Sequence, residues 1–365
     1  MRILALSPYH ANSHDRWLKG LQNGFPEHQW TVITLPARAF CWRFVGNAYS
    51  LAERYSELLN KEYDLILATS MTNLASLKSL VPSLSSVRTI LYFHENQFSY
   101  PSRYPEAERD RFHFCMQSLY SAMVSDKLVF NSQYNFNTFI SGARNLLKKM
   151  RDFAPKSAIG TLEAKAQVIP VPLEGHWFRQ PANRTGPCRI LWNHRWEYDK
   201  APERFFAAIH ALQTAGLSFE LYLVGQSFQD KPSCFIEAKD SLSKHIKQWG
   251  YLDSATEYQA LLPQMDLVIS TALHEFQGLS VLEAAASGCH VRVPNRLAYP
   301  EWFHSESLYE SHEDDALAEQ EALTDALCST IEEIEQWRKR PAPALTALSW
   351  DSLKSKYQAL LERTV

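Results

Sequence analysis

The stretch of this chain that carries the most information spans residues 274–288 and reads His-Glu-Phe-Gln-Gly-Leu-Ser-Val-Leu-Glu-Ala-Ala-Ala-Ser-Gly. Glu275 and Glu283 are separated by seven residues, and Gly278 lies between them. The pattern after Gly278 predicts a helix, whose first backbone N–H groups carry a partial positive charge that attracts phosphate. Glu275 precedes this turn, and Glu283 lies at least one turn inside the helix. One carboxylate can therefore bind a sugar hydroxyl and the other a ribose diol, with a diphosphate at the helix end.

Strand-like apolar runs lie on both sides of this stretch, at residues 265–270 and 291–294. Ligands of open α/β sheets bind beyond the carboxyl ends of the strands, which is where the two glutamates stand. The alternative is an ordinary strand–turn–helix unit with two unrelated surface glutamates. The surrounding pattern favours a nucleotide-sugar site.

Length and composition limit the class of protein. A chain of 365 residues can form two domains with separate cores, and 45% apolar with 21% charged residues is typical of a soluble globular enzyme. The six cysteines are scattered, which argues against a zinc site or a disulfide framework and suits a reducing cytoplasm. Neither a signal peptide nor a membrane-spanning run is visible, so we expect a cytoplasmic protein that does not enter a membrane.

Charge is distributed unevenly along the chain. Residues 1–184 have more Lys and Arg than Asp and Glu, whereas residues 185–365 have the reverse. A basic first half is typical of a surface that meets a polyanion. The acidic balance of the second half is equally well explained by a solvated helical tail at residues 301–335.

Strand-length apolar runs alternate with helical patterns along both halves of the chain. In the first half they lie at residues 3–7, 31–35, 63–68, 88–93, 127–131 and 166–170, and in the second half at 188–193, 219–225 and 265–270. This βαβ alternation predicts parallel sheets covered by helices on both faces. We expect an N-terminal acceptor-binding Rossmann-like domain at residues 1–175, a nucleotide-sugar-binding one at 186–345 and a final helix at 346–365.

Two further motifs follow predicted strands. Residues 192–200 read WNHRWEYDK, in which Arg195 and Lys200 are placed to clamp a diphosphate, unless they are ordinary surface cations. Residues 93–101 read FHENQFSYP, in which four hydrogen-bonding side chains, beginning with His94, follow a buried strand. These polar residues indicate a binding loop, and the alternative is a loop that satisfies its own backbone groups.

Together these motifs resemble a known enzyme family. The 274–288 stretch is similar to the donor-site signature of retaining family-four GT-B glycosyltransferases. With FHENQ, WNHRWEYDK and the Leu-Ala-Tyr-Pro-Glu of residues 297–301, the chain resembles the tRNA-queuosine mannosyltransferases over nearly its whole length. The resemblance implies a GT-B fold, with two Rossmann-like domains facing a cleft and the last helix crossing back to the first. It also implies transfer of mannose from GDP-mannose, with retention, to the cyclopentene diol of queuosine in a tRNA anticodon.

The resemblance also suggests roles for individual residues. His94 and Glu275 are the expected catalytic residues. The expected donor-binding residues are Ser13, Arg195, Lys200, Gly250, Tyr251, Phe276, Gln277, Gly278, Leu279 and Glu283. Because no Asp-x-Asp motif follows a strand, we expect no metal and no cofactor beyond the donor itself. Ala11 and Asn12 stand where family members often carry paired glycines, and Gln277 departs from the wider family without an explanation.

The acceptor is expected to contact basic and aromatic residues of the first domain. Cations suit the phosphates of an anticodon loop, and rings suit its unstacked bases. The expected acceptor-binding residues are Glu95, Asn96, Gln97, Tyr100, Arg103, Arg144, Lys148 and Lys149. For the cluster at 144–165, a solvated helix face is an equally good interpretation.

Two other functions remain open from the sequence. A family-four enzyme with another nucleotide sugar, or with a lipid or polysaccharide acceptor, would use a basic and apolar helix, as residues 136–150 permit. A non-catalytic tRNA-binding protein on the same fold would not need the full set of His94, Arg195, Lys200, Glu275 and Glu283.

Overall fold

The chain forms two compact units. The computed structural model describes residues 1–99, 107–227 and 231–362, with the backbone alone at 107–110. Unit 1 contains Met1–Pro172 and the residues from Leu353 on, and unit 2 contains Leu173–Ser352. Residues 173–175, which were expected to end the first domain, and residues 176–185, which were expected to lie between the two domains, therefore belong to unit 2.

Unit 1 is built on a sheet of six parallel strands in the order β2-β1-β3-β4-β5-β6. The strands β3 and β4 are buried along their whole length, because helices cover both faces. The strands are β1 (Arg2–His10), β2 (Gln29–Pro36), β3 (Leu65–Thr69), β4 (Thr89–Phe93), β5 (Lys127–Phe130) and β6 (Ala166–Val168).

The helices of unit 1 present one apolar face to this sheet. In α1 that face comprises Trp17, Leu18 and Leu21, which are buried at helical spacing. The helices that precede unit 2 are α1 (Asn12–Gly24), α2 (Phe40–Val45), α3 (Asn47–Arg54), α4 (Ser56–Leu59), α5 (Leu74–Leu80), α6 (Ala107–Met123), α7 (Gln133–Lys149) and α8 (Ala158–Ala164).

Unit 2 repeats the plan with six parallel strands in the order β12-β11-β10-β7-β8-β9. Its strands are β7 (Cys188–Trp192), β8 (Phe219–Leu223), β9 (Ile246–Trp249), β10 (Leu267–Ile269), β11 (His290–Pro294) and β12 (Leu308–Tyr309). Its helices are α9 (Pro202–Thr214), α10 (Cys234–Ser241), α11 (Ala255–Leu261), α12 (Leu279–Ala286), α13 (Tyr299–Trp302), α14 (Ala316–Glu332) and α15 (Ile334–Trp337). The strands β9 and β12 were not expected from the sequence, because one is a half-buried edge strand and the other has two residues.

The last helix, α16 (Trp350–Leu361), returns the chain to unit 1, as expected. The Tyr357 hydroxyl accepts a hydrogen bond from Trp17 Nε1 at 3.1 Å and donates one to the Pro170 carbonyl at 2.9 Å. The guanidinium of Arg88 donates to the last carbonyls of α16, those of Leu360 and Leu361, at 2.8 and 2.7 Å. The architecture is therefore two Rossmann-like α/β units, with the C-terminal helix packed on the first.

Candidate active site

In unit 2 the two loops that carry most of the expected donor-binding residues follow neighbouring strands. The loop with Arg195 and Lys200 follows β7, and the loop with Glu275 and Gly278 follows β10, which is paired with β7. Carboxyl ends of parallel strands meet at one edge of a sheet, so the two loops lie side by side. The structure thus brings together the motifs of residues 192–200 and 274–288.

The ammonium group of Lys200 is the centre of this site. Its Nζ donates to the His274 carbonyl at 2.6 Å and lies 3.2 Å from both Glu275 Oε2 and Asp199 Oδ2. Burial alone would lower the pKa of Lys200, but the two carboxylates outweigh it and raise that pKa. The ammonium is thus hydrogen-bonded to the His274 carbonyl and to Glu275, and it forms an ion pair with Asp199. A phosphate that binds this Nζ would compete with these contacts.

Glu275 is the contact of Lys200 that is easiest to displace. Its side chain is 24% exposed, whereas that of Asp199 is 3% exposed. Burial raises the pKa of the Glu275 carboxyl, but the charge of Lys200 outweighs this and holds the pKa below its ordinary value. Glu275 is therefore an anion at neutral pH, and it can exchange Lys200 for another hydrogen-bonding partner.

The other titratable groups of this loop pair have fixed charges at neutral pH. Burial opposes ionisation of Asp199, but Lys200 and the nearby His274 bring its pKa well below the usual range. Burial lowers the pKa of His274, and burial with the nearby Lys200 lowers that of His194 to about 4. The two imidazoles are therefore neutral, and Asp199 is ionised. The sequence had given no role to any of these three residues.

Gly278 stands where only glycine fits. Its φ is 78°, and a Cβ there would lie 2.9 Å from Cε1 of Tyr299. The hydroxyl of Tyr299 is held 2.7 Å from Ser270 Oγ, so the ring is fixed against the turn. The helix α12 begins at Leu279, and its first N–H groups are the anion-attracting end that the sequence predicted.

The remaining expected donor-binding residues occupy mixed surroundings. Phe276, Gln277 and Glu283 are buried, and Leu279 is half-buried. Arg195 is half exposed and forms an ion pair with Glu197 at 3.0 Å. Gly250 has a φ of 103°, and the neighbouring Tyr251 is exposed.

Asn193 is a residue of this site that the sequence left without a role. Its Nδ2 donates to the Tyr258 hydroxyl at 2.9 Å and to the Ser280 carbonyl at 2.8 Å. These bonds tie the end of β7 to the first turn of α12. The signal available in the sequence was only a polar residue directly after a buried strand.

In unit 1, His94 lies at the end of β4 inside an aromatic cluster. Its ring stacks on His14 with centroids 4.1 Å apart and contacts Tyr92 at 4.7 Å and Trp17 at 4.8 Å. Burial, with the neighbouring histidines, brings the pKa of His94 well below its usual value and that of His14 to about 3. Both imidazoles are therefore neutral at neutral pH.

Around His14 the structure places a row of polar side chains that the sequence did not single out. The Ser7 hydroxyl lies 3.4 Å from His14 Nδ1 and 3.1 Å from His10 Nδ1, and His10 Nε2 lies 3.4 Å from Asp15 Oδ1. On the other side, His14 Nε2 is 4.0 Å from Glu95 Oε2. His94 and Glu95 thus adjoin a polar network at the carboxyl ends of β1 and β4.

The first loop of unit 1 does not require glycine. Ala11 is the N-cap of α1, with an extended φ of −83°, and Asn12 is the first residue of that helix. The conformation is one that any residue adopts, which explains how Ala and Asn stand there. Ser13 lies in the first turn of α1 and is half-buried.

The expected acceptor-binding residues are placed as follows. Asn96 is buried, and its Nδ2 donates to Asn135 and Thr138 of α7, so its amide holds the loop after β4 in place. Gln97 is also buried. Arg144 forms an ion pair with Glu163 at 2.8 Å, while Lys148 and Lys149 at the end of α7 are exposed. Tyr100 and Arg103 lie outside the described residues.

The described residues were expected to form neither a metal site nor a membrane-spanning segment. Within the described ranges, no three His, Cys, Asp or Glu side chains are grouped so that they could hold a metal ion. Among the helices of the described residues, none is long and apolar enough to cross a membrane.

Comparison with known proteins gives matches over both units. Residues 2–173 match the family model described as tRNA-queuosine alpha-mannosyltransferase N-terminal, and residues 188–334 match that of glycosyl transferases group 1. A tRNA-queuosine alpha-mannosyltransferase of Drosophila melanogaster is 32% identical over 319 residues, which cover 84% of this chain and 83% of that protein. These matches identify a glycosyltransferase.

Solved structures support the fold independently. A sucrose-phosphate synthase from Thermosynechococcus elongatus aligns with a TM-score of 0.70 at 14% identity, over 99% of this chain and 98% of its own. HepE of Anabaena aligns with a TM-score of 0.67 at 13% identity, over 99% of both chains. At such identities the likeness shows the fold alone, and that fold is the expected GT-B fold.

Proposed function

The chain belongs to the tRNA-queuosine alpha-mannosyltransferase family, and from this premise we propose that it transfers mannose from GDP-mannose to the cyclopentene diol of queuosine in a tRNA anticodon, with retention. The observation that carries the proposal is the similarity to the Drosophila enzyme, which extends over both units. The donor, the acceptor nucleoside and the stereochemistry are the parts to be tested.

In the proposed reaction a hydroxyl of the acceptor attacks the anomeric carbon while the bond to the diphosphate breaks. Positive charge develops on the sugar ring and negative charge on the leaving diphosphate. Arg195, Lys200 and the N–H groups that follow Gly278 would stabilise that negative charge, which is where fixed donors accelerate a reaction most. Because these groups supply the positive charge, we propose that no metal ion is needed.

Donor binding would rearrange the contacts of Lys200. A diphosphate oxygen would take the place of Glu275 on the Lys200 ammonium, because Glu275 is the more exposed of its two carboxylate contacts. The released Glu275 carboxylate, ionised at neutral pH, would accept hydrogen bonds from the sugar hydroxyls. Glu283 would bind the ribose, and the loop at Gly250 and Tyr251 would receive the base.

His94 would orient the sugar as a neutral imidazole. Its low pKa makes the imidazole a weak base, so it would not take the proton of the acceptor hydroxyl. That proton would go to the leaving diphosphate oxygen, as in front-face transfer. The tRNA would meet unit 1, where Lys148 and Lys149 are exposed to contact phosphates.

The direct test is transfer of radiolabelled mannose from GDP-mannose to bulk tRNA, with queuosine-lacking tRNA in parallel. We expect label only in the queuosine-containing tRNA, and none with Glu275→Ala. Label in neither tRNA would contradict the proposal. A screen of other nucleotide sugars on the same tRNA would then show whether the donor or the acceptor was wrongly assigned. Label in a lipid or polysaccharide fraction instead would identify a different acceptor class.

A further inference from the structure

A buried arginine, Arg296, contacts the chain just before the loop with Glu275 and Gly278, which we call the donor loop. Its Nε donates to the Ala272 carbonyl at 3.0 Å, and its Nη2 donates to the carbonyls of Thr271 and Ala272 at 3.2 and 2.9 Å. These two residues lie between the end of β10 and the donor loop, and Arg296 follows β11, the strand paired with β10. One guanidinium group thus holds two successive carbonyls that lead into the candidate active site.

Glu319 holds this guanidinium group in place. Its carboxylate, in the first turn of α14, accepts hydrogen bonds from Nη1 and Nη2 of Arg296, the second at 2.8 Å. The same carboxylate lies 3.0 Å from Nη1 of Arg204 and accepts the His312 N–H at 3.1 Å. The side chains of Arg296 and Glu319 are 8% and 1% exposed. The guanidinium group therefore cannot turn without breaking a buried ion pair.

The Arg296–Glu319 pair is charged at neutral pH. Burial would raise the pKa of Glu319, but Arg296 and Arg204 outweigh it and hold that pKa below its ordinary value. Burial would lower the pKa of Arg296, but Glu319 outweighs it and raises that pKa. Hydrogen bonds from a charged guanidinium are stronger than those between neutral groups, and its planar fork fixes their directions. The carbonyls of Thr271 and Ala272 are therefore held rigidly.

The held segment is also bound to the loop that carries Lys200. Thr271 Oγ1 donates to the Lys200 carbonyl at 2.8 Å, and the N–H groups of Leu273 and His274 donate to the Asp199 carbonyl at 2.8 and 3.3 Å. The Lys200 ammonium in turn donates to the His274 carbonyl. A displacement of the segment would therefore move the contacts of the Lys200 ammonium as well.

We propose that Arg296 is a positioning residue for donor binding: by holding the carbonyls of Thr271 and Ala272, it keeps Glu275 and the Lys200 ammonium where a nucleoside diphosphate meets them. Arg296 acts through these groups and not by touching the donor. The inference rests on the proposed function, since it requires that this site bind a nucleotide-sugar donor. Supporting contacts of this kind matter because binding groups must be held within about 0.5 Å of their working geometry.

A matched control lies at the other end of β10. Asp266 directly precedes this strand, and Arg338 donates to its two carboxylate oxygens from Nε and Nη2, both at 2.9 Å. The side chains of Arg338 and Asp266 are 6% and 0% exposed. Asp266 has a second arginine, Arg184, 3.4 Å away, and in this too the pair resembles that of Arg296 and Glu319. The two pairs are alike in chemistry and burial but lie at opposite ends of the strand, so Arg338 provides the control.

The test compares Arg296→Met and Arg338→Met with the wild type. The dissociation constant for GDP and the melting temperature are measured by calorimetry for each protein. Each variant leaves a buried carboxylate with one remaining arginine, so both should lose similar stability. Arg296→Met should weaken GDP binding about 10- to 100-fold, the loss typical of removing a supporting contact. Arg338→Met should stay within about twofold of the wild type, because distant sites act independently.

Arg296→Lys separates positioning from charge pairing. Lysine restores the charge opposite Glu319 but has no planar fork to hold two carbonyls as well. This variant should therefore recover most of the melting temperature, while GDP affinity and the hydrogen-exchange protection of the Leu273 and His274 amides stay reduced. It also decides the question if Arg296→Met does not fold.

The outcomes separate the inference from the proposed function. Equal GDP affinity in Arg296→Met and Arg338→Met, or recovery of both stability and GDP affinity in Arg296→Lys, would overturn the inference and leave the proposed function standing. A wild type that binds UDP and not GDP would contradict the proposed donor, and the same comparison made with UDP would then decide the role of Arg296. A wild type that binds neither nucleotide would contradict both.

Discussion

Replacing Lys200 by methionine is predicted to destabilise unit 2 strongly. The substitution retains the apolar stem but removes the ammonium group that neutralises Asp199 and Glu275, each with an oxygen 3.2 Å from Nζ. Removing one partner of a buried ion pair costs about 3–5 kcal/mol, because the remaining charge is left uncompensated. Asp199 will dominate this cost, since Glu275 is partly exposed and can turn to solvent.

The stability lost in the Lys200→Met variant should be smaller at low pH than at high pH. Asp199 Oδ2 lies 3.8 Å from His274 Nδ1, so in the variant His274 can take up a proton and replace the missing charge. A histidine whose folded pKa is raised contributes stability below about pH 6.5, and this contribution is lost as pH rises through the folded pKa. In the wild type the folded pKa of His274 is lowered, so its contribution has the opposite sign. We therefore expect the difference in unfolding free energy between the wild type and Lys200→Met to be about 1 kcal/mol smaller at pH 5.5 than at pH 8.

Hydrogen exchange resolves the effect within the molecule. Amides of β7 and β10 should exchange with a free energy lowered by the predicted amount, while those of β4 in unit 1 serve as the internal reference. Lys247→Met is the matched control, because Lys247 pairs with Glu220 at 3.6 Å on the surface and should change stability by less than about 1 kcal/mol. Equal protection of β7 in the wild type and in Lys200→Met would refute the account of Lys200.

Three further predictions concern stability and donor binding. The folded pKa of His194 is about 4, so below about pH 6.5 the unfolded chain binds more protons at this residue than the folded chain does. Calorimetry should therefore show that His194 lowers the free energy of unfolding by about 2 kcal/mol at pH 5 relative to neutral pH. Gly278→Ala should weaken GDP binding, whereas Gly216→Ala, which is equally left-handed but has no atom near the new Cβ, should cost only about 1–2 kcal/mol of stability. Tyr357→Phe leaves the indole N–H of Trp17 buried without its acceptor, and should lower the melting temperature by an amount equivalent to about 1–3 kcal/mol.

Most of the fold could be predicted because its strands are apolar runs buried on both faces. Runs such as Leu65–Thr69 and Thr89–Phe93 are apolar except for Thr and the Tyr92 hydroxyl, so they are readily recognised as buried strands. Ile246–Trp249 has the sequence Ile-Lys-Gln-Trp and lies at the sheet edge, where partial exposure removes that signal. Strand detection thus depended on full burial, which edge strands lack.

The sequence predicted which residues lie at the candidate site, but not the hydrogen bonds that they form with one another. The positions of Lys200 and Glu275 after neighbouring strands follow from a βαβ reading of the sequence. The hydrogen bonds of the Lys200 ammonium to the His274 carbonyl and to Glu275 do not, because they depend on how two loops 75 residues apart pack against each other. Likewise, the sequence left two readings for the loop after β4, and only the structure shows the amide of Asn96 holding that loop to α7.

The measurement that tests the central claim most directly is the chemical identity of the product. The enzyme would be incubated with GDP-mannose labelled with carbon-13 in the sugar and with queuosine-containing tRNA, and the nucleosides would be analysed by mass spectrometry and NMR. Our account predicts queuosine that carries one labelled mannose in the α configuration, as retention requires. Unchanged queuosine, or a β-linked mannose, would contradict it.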